Sequence, residues 1–203
     1  MSPSIENLNL EMAKNLQSLT ELIQEALSLA FKGFLTSDNQ HLKEGENKTQ
    51  KTYKHLKELQ KLISSDSSLS GEDIASAAII LSHYHKISFD LEKLLSLIEN
   101  KNIEGILFTE KGKTELDEIF RGIKNLFSHL NDVILTRNVV LIDHILKEKK
   151  NYNQLSRKFA QEHEDRLVKG ICMAHTSSLY LNILDVLNDI LWHLQAIVVE
   201  LKS

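Results

Sequence analysis

The near absence of proline is the feature that most constrains the fold of this chain. The 203 residues contain one proline, Pro3, and seven glycines. Because a proline inside a helix costs about 3 kcal/mol, a chain without internal proline permits long, uninterrupted helices. The spacing of the apolar residues also indicates helices. Along residues 74–98 they recur mostly at steps of three and four, which is the period of an amphipathic helix, and the alternation typical of a strand is absent.

Four polar or glycine-containing segments interrupt the helical pattern, which predicts five or six helices; the sixth depends on a further boundary near residue 138. The clearest is SSDSSLSG at 64–71, a run of capping and turn-forming residues in which Ser70 is the predicted N-cap of the next helix. GFLTSDNQ at 33–40 indicates only a tight corner between two helices. The predicted helices are 5–35, 39–64, 71–100, 113–137, 139–168 and 176–202.

Three long helices followed by three more indicate an internal repeat. A shift of 103 residues places Phe89 on Trp192 and His85 on Asn188. The predicted fold class is therefore all-α, with two tandem three-helix bundles over residues 1–103 and 104–203. The helices of each bundle are predicted to pack antiparallel, because the links between them are short.

Composition excludes several classes of function. Charged residues make up 26% of the chain and the net charge is −4, so no basic surface for nucleic acid is expected. The single cysteine, Cys172, excludes an internal disulfide and suits a reducing compartment. The first twenty residues lack the pattern of a signal peptide. The longest apolar stretch, 179–201, contains polar residues such as Asn182 and Asp185, so it is not expected to cross a membrane.

Several stretches together resemble one known family. In the second half, FTEKGKTELDEIF (108–120) opens a helix, and QEHEDRLVKGIC (161–172) places a histidine, an arginine and Gly-x-Cys before the last helix. SLYLNILDVLNDILWHLQAI (178–197) then forms most of that helix, and LSGEDIASAAIILSHYHKISFDLEKLLSLIEN (69–100) occupies the matching place in the first half. This succession resembles PhoU-like proteins, most closely the cytoplasmic PhoU-like domain of bacterial sodium/phosphate cotransporters.

The resemblance implies a regulatory role and no enzymatic activity. It leads us to expect a cytoplasmic accessory domain of phosphate transport, peripheral to the inner face of the membrane or tethered there. The expected partner is a membrane phosphate transporter or its transmembrane domain. A homodimer is left open, and so is whether the chain is free-standing or part of a larger transporter.

PhoU-like proteins hold iron, zinc or another metal through a Glu-x-x-x-Asp pair on the third helix of each repeat. Here His85 and Phe89 stand at the positions of that pair in the first half, and Asn188 and Trp192 stand there in the second. Since phenylalanine and tryptophan cannot bind a metal ion, no cofactor is expected. An exposed aromatic side chain is typical of protein interfaces, so these four residues are the predicted partner-contact residues.

Two other interpretations of the last helix remain open. Asp185, Asp189 and His193 are spaced by four, so with Glu162 or Glu164 of the preceding helix they are candidate ligands for iron, manganese or zinc in a metal-binding sensor. Alternatively the same three residues are a solvated face. Both interpretations place them away from the buried stripe. No Glu-x-x-His pair and no glycine-rich phosphate loop accompanies them, so the sequence predicts no catalytic site.

Overall fold

The computed structural model of the chain describes residues 10–67 and 69–202, and this part is all-α with six helices. The predicted start of the first helix, 5–9, lies outside the described residues. The helices are α1 Leu10–Thr36, α2 Asn39–Ser65, α3 Gly71–Ile103, α4 Glu110–Thr136, α5 Val139–Val168 and α6 Ala174–Lys202.

Capping groups explain where these helices begin. The Ser70 hydroxyl accepts the Asp73 backbone N–H at 3.1 Å, and the Asp73 carboxylate accepts the Ser70 backbone N–H at 3.2 Å, which confirms the predicted N-cap of α3. Helix α4 begins at Glu110 and not at 113, because the Thr109 hydroxyl caps it by accepting the Gly112 N–H at 3.1 Å. Helix α5 has the predicted bounds.

The corners between the first two helices of each half are built alike. Ser37 and Arg137 both adopt the left-handed backbone region, with φ of 54° and 50°. Each is followed by an N-cap, Asp38 for α2 and Asn138 for α5. These pairs are 100 residues apart, whereas the shift inferred from the third helices was 103. The difference arises because α2 has 27 residues and α5 has 30.

The six helices share one apolar core. Helices α1, α2 and α3 pack against one another, as do α4, α5 and α6, and the two groups meet where α1 packs along α4 and α3 packs along α6. Buried apolar residues of both groups form a single continuous cluster. The four central helices therefore lie between α2 on one side and α5 on the other. The division into units 1–103 and 104–203 stays a prediction.

Helices α3 and α6 run antiparallel. Ser76 of α3 contacts Glu200 near the end of α6, and Glu104 just after α3 contacts His175 at the start of α6. None of the helices in the described part has an apolar stretch long enough to cross a membrane.

Candidate functional site

The line of contact between α3 and α6 is a polar seam with a seven-residue period. Ser76 of α3 donates a hydrogen bond to the Glu200 carboxylate of α6. Seven residues later in α3 and seven residues earlier in α6, the Nδ1 atoms of His83 and His193 lie 3.0 Å apart. A period of seven is typical of helices that wind around each other as in a coiled coil. Because two neutral imidazoles can share a hydrogen bond only if one donates and the other accepts, the seam fixes complementary tautomers of the two rings.

His193 was expected to face outward, and this prediction is wrong. The residue is 9% exposed, and its ring is in contact with α3. Around the helix axis, His193 lies about 120° from the fully buried Leu187, outside the stripe of about 60° on either side that one neighbouring helix would cover. Helix α6 packs against α3, α4 and α5 together, so its burial extends further on the side that faces α3. Val186, seven residues or about two helical turns before His193, is buried there as well.

Asp90 is the next group of the seam and has a buried carboxylate. Its Oδ2 accepts no hydrogen bond and lies 3.8 Å from Nε2 of His193. Burial, and after it the negative charge of Asp189, raise the pKa of Asp90 to about 6. Burial, and after it the positive charges of His83 and Lys86, lower the pKa of His193 to about 4. At neutral pH the seam therefore holds a neutral imidazole beside a carboxylate that is poorly stabilised as an anion.

Above this seam, α3 and α6 each present one exposed stripe to solvent. We call the two stripes together the outer face. Its residues alternate at steps of three and four along each helix, and all are exposed except for the half-buried Ala196. They are Ile79, Ser82, Lys86, Phe89, Lys93, Ser96 and Asn100 on α3, and Ser178, Asn182, Asp185, Asp189, Trp192, Ala196 and Val199 on α6.

The structure places the two predicted aromatic contact residues on the outer face. Phe89 is 61% exposed and Trp192 is 52% exposed. The indole of Trp192 packs edge-on against the His83 ring, with ring centroids 5.6 Å apart. The other two predicted contact residues lie beside this face. His85 packs against Tyr53 of α2 with ring centroids 5.1 Å apart, and Asn188 is half-buried.

The candidate metal ligands are not brought together. Asp185 and Asp189 are exposed on the outer face, whereas the ring of His193 points into the seam. Glu162 of α5 pairs with two lysines, and Glu164 is exposed. Among residues 10–67 and 69–202 no group of three or more His, Cys, Asp or Glu side chains is arranged to hold a metal ion.

The residues around Arg166 form a buried junction between α4, α5 and α6. Glu115 is 1% exposed and accepts hydrogen bonds from both terminal nitrogens of Arg166, at 3.0 and 2.7 Å. The Glu115 carboxylate also accepts a hydrogen bond from the Tyr180 hydroxyl at 2.7 Å. The ring of His163 stacks on that of Tyr180 with centroids 4.1 Å apart. Helix α5 ends at Val168, and the φ of 71° at Gly170 turns the chain so that the Ile171 N–H reaches the Arg166 carbonyl. The sequence motif around Arg166 is thus explained by helix packing.

The outer face ends in a small polar cleft of about 140 Å³ between the last turn of α3 and the first turns of α6. The hydrogen bond between the His175 ring and the Glu104 carboxylate closes one side of this cleft. Three residues of the outer face also line it: Asn100, Ser178 and Asn182.

No family model, no curated protein and no solved structure matches the chain. The link to PhoU-like proteins consequently rests on the sequence stretches quoted above.

Proposed function

We propose that this chain is a non-enzymatic regulatory domain of phosphate uptake that binds the membrane part of a phosphate transporter through its outer face. The observation that supports a binding role is the exposure of Phe89 and Trp192 on two adjacent helices that pack along each other. The connection with phosphate comes from the resemblance to the cytoplasmic domain of sodium/phosphate cotransporters.

The composition of the outer face suits a reversible contact. Two aromatic side chains lie among lysines, aspartates and small polar residues, a mixture typical of interfaces whose partners also exist apart. Each aromatic leaves about 100 Å² of surface for a partner to bury, which corresponds to about 2.5 kcal/mol at the usual transfer coefficient. Contributions of this size are those of the few residues that dominate binding at an interface.

Binding to the transporter can be measured directly. The membrane part of the sodium/phosphate cotransporter from the same genome is placed in lipid nanodiscs, and the dissociation constant of this chain is determined. We expect Phe89→Ser and Trp192→Ser each to weaken binding about tenfold or more. Leu62→Ser on α2 is the matched control, because Leu62 is 54% exposed and lies outside the outer face. Unchanged binding of the Phe89→Ser, Trp192→Ser double variant would refute the proposed contact.

A cellular assay tests the connection with phosphate. Deleting the gene is expected to change the initial rate of inorganic phosphate uptake. The unaltered chain and Leu62→Ser are expected to restore that rate, and the double variant of Phe89 and Trp192 is not. Uptake that is the same with and without the gene would exclude a role in phosphate transport, whatever the chain binds.

A further inference from the structure

The outer face carries opposite charges on its two helices. The exposed stripe of α3 contains Lys86 and Lys93, seven residues apart, and the stripe of α6 contains Asp185 and Asp189. None of these four side chains forms an ion pair with another described residue. The face therefore has a basic side and an acidic side, and both are available to a partner.

The antiparallel register places these charges at matching heights. His83 lies opposite His193, and residue numbers fall along α6 as they rise along α3. Lys86 accordingly lies almost level with Asp189, and Lys93 lies within about one turn of Asp185. Phe89 lies between these two levels, and Trp192 lies beside the level of Lys86 and Asp189.

A copy of the chain turned by a twofold axis parallel to the helices fits this pattern. Such a rotation preserves height and exchanges the two sides, so α3 of one copy faces α6 of the other. Each lysine side then faces an aspartate side, in both directions. A twofold axis across the helices would instead lay α3 on α3 and α6 on α6, with like charges facing each other.

We propose that a second copy of this chain covers the outer face in an isologous dimer. In this dimer Lys86 and Lys93 pair with Asp189 and Asp185 of the partner subunit. The side chains of Phe89 and Trp192 are buried at its centre, where aromatic residues contribute most to binding. Because the same face serves the proposed contact with a transporter, dimer formation and transporter binding compete.

The size of the face sets the strength of the dimer. The two stripes extend over about 30 Å along the helices and about 20 Å across them, which gives about 600 Å² per copy. The total of about 1,200 Å² is at the lower limit of specific interfaces, so the dimer is reversible, with a dissociation constant on the order of micromolar.

Charge exchange tests this dimer with the purified chain alone. Sedimentation equilibrium of the unaltered chain is expected to show a monomer–dimer equilibrium that shifts toward monomer as sodium chloride screens the charges. Lys86→Asp with Lys93→Asp, and separately Asp185→Lys with Asp189→Lys, are each expected to weaken self-association at least about a hundredfold. An equimolar mixture of the two variants is expected to dimerise again, which also shows that both variants fold.

The matched control is Lys54→Asp with Lys61→Asp, two exposed lysines of α2 with the same spacing of seven. This control is expected to dimerise as the unaltered chain does. A chain that stays monomeric at every concentration would overturn the proposal. So would dimers that tolerate both charge reversals, or a mixture that stays monomeric. None of these results bears on transporter binding, which is measured separately with the variants of Phe89 and Trp192.

Discussion

Removing the Glu115 carboxylate should be the most damaging single change in the junction of α4, α5 and α6. Glu115→Leu deletes three hydrogen bonds, two from Arg166 and one from Tyr180. It also leaves the Arg166 guanidinium, whose side chain is 15% exposed, without its counter-charge. Breaking a buried ion pair from one side costs about 3 to 5 kcal/mol. For a chain of this size, that lowers the melting temperature by roughly 6 to 20 °C.

The assay is chemical denaturation followed by far-ultraviolet circular dichroism, with a double-mutant cycle. Arg166→Met should cost a similar amount, because it strands the Glu115 charge. The double variant should be more stable than either single variant, since no buried charge is left alone. Arg121→Met is the matched control, because the Arg121–Asp117 pair on α4 is solvated and should contribute under about 1 kcal/mol. A cost under about 1 kcal/mol for Glu115→Leu, or additive effects in the cycle, would refute the reasoning.

Two further predictions concern the seam and a helix cap. The pKa of Asp90 is about 6 in the folded chain and 3.8 in the free residue, so ionisation of Asp90 destabilises the folded chain. This destabilisation is complete above pH 6 and absent below pH 3.8. Asp90→Asn should therefore raise the free energy of unfolding at pH 8 by up to about 3 kcal/mol, and this gain should vanish near pH 4. Urea titrations at the two pH values measure the effect, and an equal gain at both would contradict the prediction. His193 acts in the opposite direction, because its folded pKa of about 4 lies below 6.5 and its stabilising contribution is lost as pH falls between those values. Ser70→Ala should cost about 1 kcal/mol by removing the N-cap of α3, measured by thermal denaturation beside Ser82→Ala, and equal melting temperatures for the two variants would count against the capping role.

The all-α fold and most helix boundaries were predictable because they depend on local chemistry. Ser70 followed by an acidic first turn predicts the start of α3, and the structure confirms it. The corner at Ser37 and Asp38 was predicted as tight, and it has two residues. The predicted start of α4 is three residues too late, because the Thr109 hydroxyl caps the helix and glycine at 112 does not interrupt it.

The orientation of His193 could not be derived from α6 alone. A single helical wheel assumes one buried side, whereas α6 has three neighbouring helices. Leu179, Val186 and His193 on α6 are seven residues apart, as are Ser76, His83 and Asp90 on α3, but every position of a helix has neighbours at that spacing. Only the packing of α3 against α6 brings His83 and His193 together.

The buried junction at Glu115 was missed for a different reason. Charged residues are rarely buried, so the sequence alone does not indicate that Glu115 and Arg166 form a buried pair. Their 51-residue separation gives no local pattern, and only the packing of α4 against α5 brings them together. The resemblance pointed to Arg166 as a distinctive position without saying what it contacts.

The central claim is that the outer face of α3 and α6 is the surface through which this chain binds its partners. The most direct test is photo-crosslinking in cells with a photoreactive amino acid at position 192, compared with position 62 on α2. Mass spectrometry then identifies the crosslinked proteins. We expect crosslinks from position 192 to a second copy of this chain and to a phosphate transporter, and neither from position 62. Crosslinks to those proteins from position 62 alone, or equally from both positions, would contradict it.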